Sequence, residues 1–164
     1  MQFDNRTILY KVANKFNLKR NSTEERLKLQ KTIYLLQTYG LQLGYGFSWY
    51  RYGPYSQDLV YDAYMVLGSE KNRYERTARS WNFSDGTINR FNEFRNICGD
   101  VLNNPKQLEL VASVDFVRKT WHPEATQSKM PKIFKIYKER YFNGDLIEDD
   151  GIKKAFAISD RLKR

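Results

Sequence analysis

Apolar residues return at helical intervals along most of the chain. Ile8, Leu9, Val12, Ala13 and Phe16 recur at the short steps that place side chains on one face of a helix. The segment NSTEERLKLQKTIYLLQTYG opens with Ser22 and Glu25 three apart. That is a capping box, in which hydroxyl and carboxylate each accept from a backbone N–H left free at the helix start. Leu29, Ile33 and Leu36 form the inner stripe, while Leu27, Tyr34 and Leu35 widen it, and Gly40 supplies the stop. A helix apolar around so much of its circumference is expected to sit centrally.

From Tyr45 to Tyr52 the period changes to two. Tyr45, Phe47 and Trp49 alternate with Gly46, Ser48 and Tyr50, a strand pattern in residues that favour strands. Gly53 and Pro54 are expected to make the turn that ends it. Ser56 then caps a new helix, with Asp58 in its first turn and Leu59, Val60, Ala63, Tyr64 and Leu67 facing inward. The irregular KNRYERTARSWNFSDG suggests two brief strands, around Tyr74 and Trp81, completing a small sheet.

Helical spacing resumes after Ser84 with Phe91, Phe94, Cys98 and Val101, and breaks at Asn103, Asn104 and Pro105. Leu110, Val114, Val117 and Trp121 mark the next helix, and HPEATQSKMP reads as loop. A basic helix follows in SKMPKIFKIYKERYF, with Asn143 and Gly144 after it. The last helix is expected to open at Asp145, with Glu148 three on, and to bury Ile152, Ala155, Phe156 and Leu162. The pattern predicts a mainly α fold: one domain over residues 1–164, a bundle of six or seven helices with a small antiparallel β element in its first half.

Composition narrows the class. The 164 residues include 3 Trp, 12 Tyr and 10 Phe, too much apolar surface for a disordered chain despite a mean hydropathy of −0.72. Lys and Arg number 28 against 19 Asp and Glu, a net charge of +9, which suits an acidic partner, whether nucleic acid or an acidic protein face. A single Cys excludes an internal disulfide, and a single His excludes a zinc site built mainly from Cys and His. No apolar run approaches the roughly 18 residues that span a bilayer, and the start does not read as a signal peptide. A cytoplasmic protein without membrane contact is expected; its oligomeric state is left open.

Motifs of catalysis are missing. His122 precedes Pro123 in the polar loop and reads as an exposed structural histidine, and Cys98 lies on an apolar stripe. Gly40, Gly44 and Gly46 lack the Lys-Ser/Thr pair of a phosphate loop. Glu148, Asp149 and Asp150 are consecutive on a helix and cannot converge on one ion; Asp58 and Asp62, four apart, fit capping or ion pairing. No enzyme activity and no cofactor are expected.

Two surfaces remain. Lys129, Lys132, Lys135 and Lys138, three apart, with Arg140 beyond, form a basic helix face that could contact phosphates, joined by Arg51, Arg73, Arg76 and Arg79. Residues 45–64 crowd eight aromatic side chains together, and strand alternation leaves some of them accessible. Trp49, Tyr50, Arg51, Tyr52, Tyr55 and Tyr61 are therefore the candidate partner-binding residues, since accessible Tyr and Trp beside Arg are typical of protein-binding hot spots.

The run from Lys28 to Leu67 resembles the YwgA-type uncharacterised bacterial proteins and, more distantly, the Panacea (SocA-like) antitoxin domain. The likeness lies in Leu29, Gln30, Lys31, Ile33 and Tyr34 on one helix, then a short β element, Gly53-Pro54, and a following helix. Leu108–Val117 and the closing helix at Ile152–Leu162 are similar to later segments of those families. Tyr55 and Ser56 depart from the commoner Panacea pattern, which has an apolar residue there, and point to the YwgA side. The resemblance implies a largely helical fold and a protein that neutralises a toxin by direct contact, as in phage and mobile-element systems. The alternative is a basic nucleic-acid-binding or regulatory protein.

Overall fold

The structure, a computed structural model, describes residues 4–162. Helix α1 (Asn5–Lys15) is capped by Asp4, whose carboxylate accepts from Thr7 N–H at 2.8 Å. Helix α2 (Thr23–Tyr39) carries the full Ser22–Glu25 capping box and ends on Gly40 at φ 115°, where any Cβ would be strained. Two three-residue strands follow, β1 (Ser48–Tyr50) and β2 (Gly53–Tyr55), paired antiparallel with Trp49 opposite Pro54. Ser56 accepts from Leu59 N–H to cap α3 (Gln57–Tyr64), which widens into a π-helical turn over Met65–Ser69. The chain continues through α4 (Lys71–Ala78), α5 (Asp85–Cys98) and a 3-10 turn (Gly99–Asn103). It closes with α6 (Pro105–Thr120), α7 (Met130–Tyr137) and α8 (Asp149–Arg161).

The fold is thus mainly α with one small early sheet, but four local expectations are corrected. Gly53-Pro54 is not the turn: Arg51 and Tyr52 turn the chain, and Gly53 and Pro54 lie in β2, where a two-stranded ribbon tolerates a proline that donates no hydrogen bond. The segment around Tyr74 is a helix, which brings the α-helices among the described residues to eight. Tyr74 and Ala78, four apart, are its buried residues, and Arg73–Glu70 and Arg79–Glu75 pair at helical spacing; Trp81 follows in irregular chain. The basic helix stops at Tyr137, so Arg140 lies beyond it in an isolated bridge to Leu146. The last helix starts at Asp149 instead of Asp145, which pairs with Lys106 and accepts from Asn143.

Helix α6 runs through the centre, buried without a break from Leu108 to Arg118. Helices α2 and α8 pack against it, and one contiguous apolar cluster joins all of them. The polar residues enclosed with α6 are largely partnered. Asp115, fully buried, accepts from Tyr34 (2.8 Å) and Thr38 (3.2 Å) of α2 and from Ser159 (2.6 Å) of α8, and pairs with Lys119. That carboxylate ties three helices together, since a charge inside a core persists only when its oxygens are taken up.

Candidate functional site

The β-hairpin is too short to stand alone and is held from below. Gln30 and Lys31 are buried on α2. Lys31 falls four residues from both Leu27 and Leu35, so the helical period turns it inward. Its Nζ donates to the Pro54 carbonyl at 2.6 Å. The Gln30 amide takes both backbone groups of Ser56, accepting from its N–H and donating to its C=O, each at 2.9 Å. From the other side, Gly53 presses on α6. At φ +90° a Cβ there would come within 2.1 Å of Ser113 Oγ, so only glycine permits this approach.

This clamp leaves a cleft of about 420 Å³ between the first half of α2, the hairpin and α3. Leu27, Leu29, Val60 and Ala63 give it apolar walls, and Tyr50, Tyr52 and Tyr55 stand around it. Tyr50 is 60% exposed, with its ring 5.1 Å from that of Tyr55. Arg20, Arg26 and Arg51 supply cationic linings beside the buried Lys31 amine, and among the described residues no acidic one lines the cleft. The Arg51 guanidinium lies 5.5 Å from the Tyr52 ring and that of Arg20 lies 4.9 Å from Tyr64. Arg26 donates to the Arg20 carbonyl (3.2 Å) and Thr23 Oγ1 (3.4 Å). Among the described residues, none of the three arginines pairs with a carboxylate.

Behind the cleft lies a buried charge cluster. Lys31 is 2% exposed and Glu109 on α6 fully enclosed, and Glu109 pairs with Lys138, itself buried. Burial pushes the Lys31 amine down to about 7; Glu109 opposes this and Lys138 adds to it. Burial pushes the Glu109 carboxyl up, with Lys138 and Lys31 opposing. Glu109 Oε2 and Ser113 Oγ have no hydrogen-bond partner among the described residues.

The residues singled out in the sequence divide between several places. Tyr50, Arg51, Tyr52 and Tyr55 meet at the cleft. Trp49 points to the opposite face of its strand and packs tilted against Phe116 (5.8 Å) and edge-on against Trp121 (5.6 Å). Tyr61 sits on α3 beneath Arg6, outside the cleft. On the basic segment, Lys129 and Lys132 are exposed, Lys135 pairs with Asp149, and Arg140 donates to the Gly144 carbonyl (3.1 Å). Lys138 does not share their exposed face: packing draws it inward to Glu109.

His122 is half-buried rather than exposed, its Nε2 2.7 Å from the Tyr137 hydroxyl. Cys98 is buried with its thiol pushed up to about 12 by desolvation, so it is a poor nucleophile. Asp62 accepts from Arg6 (2.9 Å) and Tyr45 (2.8 Å) and serves as an anchor between α1 and α3. Among the described residues, no three His, Cys, Asp or Glu are grouped to hold a metal, and no helix is long and apolar enough to cross a membrane.

No protein-family model, no curated protein and no solved structure matches this chain. Two segments singled out in the sequence, Gln30-Lys31 and Gly53-Pro54, meet in space. Gln30 and Lys31 reach across to Pro54 and Ser56, so the helix motif and the Gly-Pro motif form one clamp. Arg20, just before α2, and Arg26 on it were not singled out by sequence reasoning, although Thr23, Leu27 and Gln30 line the same cleft. A lysine at position 31, inside an otherwise apolar stripe, was the available signal.

Proposed function

We propose that the protein is a non-catalytic binding module that grips a protein partner through the cleft face of its hairpin, with Tyr50, Arg51, Tyr52 and Tyr55 in contact. One observation carries this reading: accessible tyrosines and carboxylate-free arginines surround a preformed apolar cleft. That composition belongs to binding hot spots, where large amphipathic rings bury area at little entropic cost and arginine adds directional hydrogen bonds. The resemblance of Lys28–Leu67 to an antitoxin domain makes a toxin the partner of choice, neutralised by direct contact. The alternative, a nucleic-acid or regulatory role for Lys129, Lys132, Lys135 and Arg140, draws less support because Lys135 already has a carboxylate partner.

The test is co-expression with the product of the adjacent gene. Rescued growth and a stoichiometric complex, both lost in Tyr50→Ser/Tyr55→Ser while the fold is retained, support the reading. Absence of both rescue and complex with the unmodified protein overturns it.

A further inference from the structure

We infer that the cleft takes an acidic segment of the partner protein, with an apolar side chain lodged against Leu27 and Val60 and neighbouring carboxylates on Arg20, Arg26 and Arg51. This rests on the binding reading above and adds the chemistry of what fills the site. The basis is charge complementarity. Elsewhere on this protein some arginines pair with carboxylates of their own chain, as in Arg6–Asp62 (2.9 Å) and Arg118–Asp160 (2.7 Å), and others, such as Arg90 and Arg140, donate to backbone carbonyls. What sets the cleft apart is that three arginines gather around one apolar space with no carboxylate partner among the described residues. A planar guanidinium presents paired donors that match a carboxylate, and in an apolar setting that pairing strengthens.

The floor points the same way. The Lys31 amine keeps donor capacity beyond its hydrogen bond to the Pro54 carbonyl, its one hydrogen bond among the described residues. The walls are apolar, so the occupant combines an apolar anchor with negative charge. A single nucleic-acid strand fits less well, since it needs a charged track that follows several successive phosphates. Here the cations border one bounded cleft of about 420 Å³.

The full-length chain, labelled with nitrogen-15, is titrated with 3-phenylpropionate and with its matched alcohol and amine, 3-phenylpropan-1-ol and 3-phenylpropylamine. The carboxylate is expected to shift resonances of Tyr50–Tyr55 and of α2 near Arg26. It should bind about tenfold tighter than the amine, the factor set by one charge-assisted pairing. Arg20→Gln/Arg26→Gln/Arg51→Gln should remove that preference, whereas the surface control Arg73→Gln/Arg79→Gln should keep it. Equal binding of all three probes, shifts confined to another surface, or displacement by a short oligothymidylate that binds more tightly, overturns the inference. The co-expression complex separates the two claims. If it is lost with Tyr50→Ser/Tyr55→Ser but unaffected by the triple arginine variant, the protein-binding reading stands and the acidic segment falls.

Discussion

Lys31 illustrates how one side chain can be costly and useful at once. Its amine is pushed down from the ordinary 10.5 to about 7, chiefly by burial, with Glu109 and Lys138 the charged groups facing it. Between those pH values the unfolded chain binds a proton that the folded chain does not, so the contribution of this group to stability rises with pH. The burial cost is complete below pH 7 and gone above 10.5. Lys31→Met should therefore gain stability relative to the unmodified protein on going from pH 10 to pH 6, by roughly a few kcal/mol, read as the difference between denaturant midpoints. A difference that does not change with pH would show that the amine is not held uncharged. Gly53 gives a second case. Gly53→Ala should cost about 2 kcal/mol or more, because the backbone is left-handed there and Ser113 Oγ occupies the space. Ser113→Ala alone should be close to neutral, since its hydroxyl has no partner, and the double variant should recover part of the loss in thermal unfolding.

Among the secondary structures, the hairpin depends most on its neighbours. Two strands of three residues bury little, and the ribbon persists because α2 supplies hydrogen bonds that its own ladder lacks. Gln30→Leu keeps the volume but leaves the buried Ser56 N–H without a partner, while the Ser56 carbonyl keeps the Val60 N–H (3.3 Å). A cost of roughly 1–3 kcal/mol is expected, from one buried donor left unpaired. Amide exchange should accelerate at Tyr50–Tyr55 and at the start of α3, while the amides of α6 keep their protection. Uniform acceleration across α6 would mean that the clamp supports the entire core instead of the hairpin alone.

For the protein as a unit, α6 is the axis, and Asp115 its junction with α2 and α8. The net charge of +9 is partly committed to internal pairs. Lys106, Lys119, Lys135 and Lys138 each hold a carboxylate, and the basic segment around α7 therefore offers phosphates less than its sequence suggests. Random duplex DNA should bind no more tightly than the non-specific range of about 10⁻⁴–10⁻⁶ M at physiological salt, and Lys129→Gln/Lys132→Gln should flatten what salt dependence there is. Fluorescence anisotropy over a salt series measures both. Nanomolar binding would return the basic surface to first place.

What could be read from the chain was whatever is settled within a few residues. The Ser22–Glu25 box, the Ser56 and Ser84 caps, the Gly40 stop and the apolar stripes are all short-range features, because a cap bonds three residues ahead and a helical face repeats every three or four. The aromatic crowding of residues 45–64 was equally visible. The helix at Lys71–Ala78 was not, since only Tyr74 and Ala78 mark its inner face amid polar residues. Nor was the true turn at Arg51–Tyr52, because Gly-Pro signals a turn equally well as it does a strand edge. The cleft itself lies beyond local pattern. Its floor comes from side chains bonding to backbone 23 and 26 residues away, its charge cluster from a Lys138 that packing draws to Glu109. Hydrogen bonds of that span form only once α2, α6 and the hairpin are packed together, and that packing selects which tyrosines and arginines face a common space.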